Sequence, residues 1–152
     1  MQTAVIIALL LAALWAFAHL QWRRQKASLQ TLARSRDGES ICEFARDFQR
    51  REVDTAIIRA VYETVQASIS ASHDLIAFPI RGHDRLVEDL HIDPEDTEGC
   101  IAPDIADMTG RPIQDASANP FNGRVRTVRE LVLFFNAQPL AAPKGPAPIL
   151  PR

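Results

Sequence analysis

The chain has 152 residues, 47% of them hydrophobic and 24% charged, with a formal net charge of -2 and two cysteines. Once an apolar N-terminal run is set aside, that length suits one modest domain and not two. Cys42 and Cys100 have no CxxC spacing, so neither a disulfide framework nor a zinc knuckle is indicated.

From Ala4 to Leu20 the chain reads AVIIALLLAALWAFAHL, with no charge and with His19 as its one strongly polar residue. Extended to Trp22, the run covers roughly 28 Å as a helix, enough to cross a bilayer core. It is apolar all round, unlike a helix lying on a soluble core. A cleaved signal peptide needs a basic start and small residues near its end. Here no Lys or Arg precedes the run, and Trp15, Phe17, Leu20 and Trp22 crowd its end. Residues 1–22 therefore read as an uncleaved anchor whose partner is the lipid bilayer, contacted through residues 4–22. Trp15 and Trp22 suit the interface. Arg23, Arg24 and Lys26 follow at once. The positive-inside bias then predicts a single-pass protein of the plasma (inner) membrane, with the N-terminus outside and the remainder cytoplasmic. Removal of the run as a signal sequence would instead put the domain in the periplasm.

Residues 23–53 read as a basic juxtamembrane linker with a short helix. Between Arg23 and Arg51 there are eight basic and four acidic residues, a balance that suits anionic headgroups. Gln25 to Glu39 lack firm periodicity and predict a helical extension fraying near Asp37-Gly38. Ser40-Ile41-Cys42-Glu43 has capping-box spacing, with Ile41, Phe44 and Phe48 following at helical intervals.

Residues 54–138 read as the folded domain. It holds seven basic and fourteen acidic residues between Asp54 and Gln138, which argues against nucleic acid as a partner. Asp54 is placed to cap a helix carrying Ile57, Ile58, Val61, Tyr62 and Val65, ending near Ser68–Ser72. A loop follows through Phe78-Pro79-Ile80-Arg81-Gly82, and Phe78 and Ile80 can plug the core from it. Asp93-Pro94 opens another helix: the Asp93 side chain can accept from free amides, and Pro94 suits the first helical position. Glu95, Asp96 and Glu98 complement the positive end of its dipole. Pro103 should kink or split this helix, and Gly110 should end it. Thr127-Val128-Arg129-Glu130 is a second capping box, opening an apolar helix over Leu131 to Phe135. Residues 139–152 contain five prolines and read as an extended tail. No alternating strand pattern of useful length occurs. The fold class is all-α, a small helical bundle preceded by one transmembrane helix, with Ile58, Val61, Ile92, Ile105, Leu131 and Phe135 buried together.

The order of these motifs resembles the acyl carrier protein family over about Asp54 to Gln138. The resemblance is carried by the first helix, the long loop, Asp89-Leu90-His91-Ile92-Asp93, the acidic second helix and the final Thr127-Val128-Arg129-Glu130-Leu131. Members attach phosphopantetheine to a serine directly after the aspartate matched by Asp93. Here Pro94 replaces the expected serine and offers no hydroxyl, so no cofactor is expected. Glu95 stands where a leucine usually follows, and Thr97 lies three residues into the helix on a different face. The family's second helix is also an acidic docking face for basic proteins. By resemblance, Glu88, Asp89, Asp93, Glu95, Asp96 and Glu98 form the candidate partner-binding set, with Asp104 and Asp107 further along. Their field would steer a basic protein partner. The plain alternative is that they only solvate a surface helix.

No catalytic or metal residues are expected. His73-Asp74 and His83-Asp84 are adjacent pairs, but loop neighbours often point apart, and neither HxxxH nor HExxH spacing exists. Cys42 and Cys100 read as small packed residues. No nucleophile elbow, P-loop or dinucleotide fingerprint is present. Two functions fit: an adaptor module using the acidic helix, or a carrier or carrier-associated protein of lipid or polyketide metabolism with non-standard attachment chemistry.

Overall fold

The computed structural model describes residues 2–49, 52–114 and 116–141. The described residues form six α-helices and no strand, with a single isolated bridge pairing Arg85 with Thr127. Helix α1 runs unbroken over Gln2–Ser35. At 1.5 Å per residue it is about 51 Å long, well beyond the thickness of a bilayer core. Its apolar part is long enough to cross a membrane, with a mean hydropathy of 2.0 and no burial inside the protein. His19 stacks between Trp15 and Trp22, whose ring centroids stand 5.5 and 6.1 Å away.

The last turns of α1 correct the expectation of a linker. Leu29 is fully buried, Arg36 is buried, and Leu32 and Ala33 pack against the core. Lys26, Leu29, Ala33 and Arg36 recur at helical spacing and form one face. The sequence concealed this stripe because two of its members are charged, and long basic side chains can bury their stems while placing the head elsewhere. The chain then turns at Gly38, whose φ of +82° suits glycine. Helix α2 (Ile41–Arg46) carries the expected capping box between Ser40 and Glu43. Phe44 and Phe48 are buried, and Phe44 packs on Tyr62 of α3 with centroids 5.3 Å apart. Residues 23–53 are therefore part of the folded unit at both of their helices.

Helix α3 (Thr55–His73) is the central element. The Asp54 carboxylate accepts from the Ala56 amide, as capping chemistry predicts. Ile57, Ile58, Val61, Val65 and Ile69 form its buried face. Phe78 and Ile80 plug the core from the following loop. Helix α4 (Pro94–Asp96), a π turn (Thr97–Ile101) and α5 (Ala102–Thr109) make one interrupted helix, ended by Gly110 in the left-handed region. A 3-10 turn (Ala116–Ala118) precedes α6 (Val128–Ala137), which opens with the Thr127–Glu130 capping box. Ile58, Val61, Ile92, Ile105, Leu131 and Phe135 all lie in one buried cluster. The tail expected over 139–152 lies outside the described residues from 142 onward. Before that, the Ala141 amide donates to the Gly110 carbonyl at 2.8 Å.

Candidate functional site

The long loop between α3 and α4 is held by charge. Arg36 forms a two-pronged pair with Asp84, at 2.7 and 2.6 Å, and also donates to the Pro79 carbonyl at 3.1 Å. Asp84 is 1% exposed and Arg36 6%, so this pair is dry. Asp84 accepts again from the Arg81 amide at 2.8 Å. Its own carbonyl receives the Val128 amide at 3.0 Å, and Gly82 receives Arg129 at 2.7 Å. A second pair, Arg81 with Glu39, lies beside it. The hydrogen bonds from Arg81 hold the Glu39 carboxyl below its ordinary range. Asp84 thus joins the end of α1 and the loop through its carboxylate and the start of α6 through its backbone carbonyl. His83 is exposed while Asp84 is committed to Arg36, so the adjacent pair does not form an acid–base couple.

The loop delivers the chain to α4 through Leu90 and Ile92, both buried. Asp93 is the N-terminal flanking residue of α4, but its side chain makes no capping bond, contrary to expectation. Instead its carbonyl accepts both the amide and the hydroxyl of Thr97, at 3.0 and 3.1 Å. The π turn explains how Pro103 is accommodated. A proline in a helix lacks a donor and its ring strikes the carbonyl four residues back. Here the Ala102 amide reaches back five residues to Thr97, widening the helix just before Pro103. Proline therefore sits in the first turn of α5 rather than in the interior of a regular helix.

This widened helix forms one wall of an open groove of about 760 Å³. Pro94, Thr97, Glu98 and Ala102 contribute from the helix, and Ile113, Leu131 and Phe134 from the opposite side. Leu86, Val87 and Glu88 belong to the loop side, and Arg126 also lines the groove. Thr97 therefore reaches the same groove as Pro94. Of the candidate partner-binding residues, Glu88 and Glu98 line the groove, while Asp93, Glu95 and Asp96 are exposed at the helix start. Asp89 is bound to Arg85 through its side chain and the Arg85 amide, and these bonds hold its carboxyl low. Asp104 and Asp107 line a separate shallow depression with Glu63 and Met108. The acidic residues thus divide between two surfaces.

Two histidines behave differently from solvent-exposed loop residues. His73 is buried at the end of α3, and its Nδ1 has no hydrogen-bond partner; Nε2 of His91 is likewise buried and unpartnered. Burial pushes the His73 imidazole below its usual range, and the nearby His91 and Lys26 add to that. Cys42 and Cys100 are exposed free thiols rather than packed core residues. The buried neighbours are instead Phe44, two residues from Cys42, and Ile101, next to Cys100. Among the described residues, no cluster of three or more His, Cys, Asp or Glu could hold a metal ion.

No family model, curated protein or solved structure matches this chain. Sequence reasoning missed the Arg36–Asp84 clamp. Its only sequence signal was the position of Arg36, seven residues beyond Leu29 and so on the same face of α1.

Proposed function

We propose that this chain is a single-pass membrane-anchored interaction module whose soluble domain is a degenerate acyl-carrier-like bundle. The observation that carries the reading is the open apolar groove bordered by Glu88 and Glu98, with Asp93, Glu95 and Asp96 exposed at the start of the same interrupted helix. An apolar floor supplies contact area, and surrounding carboxylates select and steer a basic partner. The occupant this chemistry suits is an amphipathic, basic protein segment, with its apolar side on Val87, Ala102 and Phe134. The motif order and Pro94, standing where the family has serine, support a carrier-like ancestry without its thioester chemistry.

A photo-crosslinking residue at Val87, which is partly exposed at the groove, tests this in the native membrane. A basic protein is expected in the crosslink, and Glu95→Lys with Asp96→Lys should cut the yield about tenfold, equivalent to about 1.4 kcal/mol. An undiminished crosslink after that double charge reversal would sink the adaptor reading. Intact mass spectrometry of the same preparation is expected to return the unmodified chain. A covalent adduct would replace this reading with carrier chemistry.

A further inference from the structure

We propose that the loop Asp74–Ala77 is a second membrane contact, with Ile76 seated in the headgroup–acyl boundary beside Trp22; this rests on α1 crossing the bilayer. Trp22 closes the apolar run of α1, where indoles favour the interface. Its Nε1–H donates to the Ser72 carbonyl at 3.2 Å. The C-terminal turn of α3 is therefore level with the bilayer surface. The two helices run in opposite senses, since Trp22 meets the end of α3, while Arg36, far along α1, meets Pro79, which follows the Phe78 held by Gln66 further back in α3. Gln66, two turns before the end of α3, donates to the Phe78 carbonyl at 2.9 Å. The chain thus rises past the level of residue 66, turns, and returns to it by residue 78. The tip of that excursion is Asp74 to Ala77, and it faces the membrane.

The tip has the composition of a lipid contact. Ile76 is 88% exposed, more than any other exposed large hydrophobic side chain among the described residues, including those of the apolar run. Leu75 packs against the core beside it, so the loop is tethered while Ile76 projects. Asp74 and Ala77 both adopt left-handed backbone, with φ of 56° and 57°. These two reversals keep the loop from folding Ile76 inward, and an alanine adopts such a conformation only at a cost. The charges fit as well. Asp74, the one carboxylate of the tip, lies 3.7 Å from Lys26 Nζ. The same ammonium stands 5.2 Å from the Trp22 ring, which ties Asp74 to the height of that indole. Arg23 and Arg24 are exposed one and two residues further along α1 and face headgroup depth. Two points of contact, the span and the loop, fix how the domain is turned on the membrane.

The full chain carrying Cys42→Ser and Cys100→Ser, with a single environment-sensitive label, tests this in vesicles of phosphatidylcholine and phosphatidylglycerol. Labels go at Ile76→Cys, at Leu10→Cys within the span, and at Met108→Cys on the exposed surface of α5. Nitroxide-bearing lipids report depth. The label at 76 is expected to shift to shorter emission wavelength and to be quenched by shallow nitroxides, with position 10 quenched by deep ones and position 108 by neither. A label at 76 that matches position 108, while position 10 is quenched, overturns the proposal and leaves the anchor standing. Loss of quenching at position 10 overturns the anchor and this contact together.

Discussion

The two ends of the helical domain are built to opposite standards. At the end remote from Trp22, polar groups are closely paired. Asn119 donates to the Phe134 carbonyl and to Gln138 and accepts from the Phe121 amide. Gln138 donates to Pro112, Asn136 bridges Asp54 and Glu52, and Arg111 closes the set on the carbonyl of Gln138. At the end beside Trp22, two imidazole nitrogens are buried without partners, and among the described residues the three non-glycine residues with positive φ, Asp74, Ala77 and His91, all occur in the adjoining loops. Strain and unmet polar groups persist where something else over-determines them. Here the remote network and the Arg36–Asp84 clamp are the closely paired parts of the domain, while the end beside Trp22 carries the unmet groups.

Breaking the clamp has the largest expected effect, because it unpairs a buried ion pair. Arg36→Ala leaves Asp84 buried without its countercharge and should cost about 3–5 kcal/mol. Urea unfolding of the full chain in detergent measures it. Arg36→Lys should recover only part, because an ammonium cannot make the two-pronged pair while reaching Pro79. Next comes the remote network. Asn119→Ala strips partners from Gln138, Phe134 and Phe121 together and should cost about 2 kcal/mol. A loss below a few tenths of a kcal/mol would mean that solvent replaces those bonds, and the contrast between the ends would fail.

The end beside Trp22 makes its own prediction through pH. The folded chain holds His73 below its ordinary range, so as pH falls through about 6.5 the unfolded chain takes up its proton first. Stability is complete above that pH and declines towards the folded pKa. His73→Phe should flatten this acid slope in unfolding curves taken between pH 7.5 and pH 5 (roughly the window in which histidine titrates). An unchanged slope would assign it elsewhere. The smallest effect is at Ala77. Ala77→Gly relieves left-handed backbone and should raise stability by about 1 kcal/mol. A loss instead would show that the alanine methyl contributes packing that outweighs the strain.

How much could be read without the fold depends on whether the signal is local. Both capping boxes, the Asp54 cap, the stop at Gly110 and the apolar span depend on residues within a turn of one another, and each formed as the spacing predicts. The six core residues named from periodicity are buried together for the same reason. Where periodicity was diluted by charge, the reading failed. Lys26 and Arg36 made a packed face of α1 look like a spacer, and the thiols of Cys42 and Cys100 are exposed beside the buried Phe44 and Ile101.

The amino-acid sequence by itself determined that this protein is helical, where most of its helices begin and end, which apolar residues make the core, and that its first helix can cross a membrane. Only the tertiary structure decided that α1 continues into the domain, that Asp84 is the partner of Arg36, that the acidic residues divide between a groove and a second surface, and that Ser72, at the end of α3, stands beside Trp22. The physical reason is range. Capping and helical amphipathicity act within a few residues, whereas a buried ion pair 48 residues apart forms only when the packed core excludes water from both charges at once.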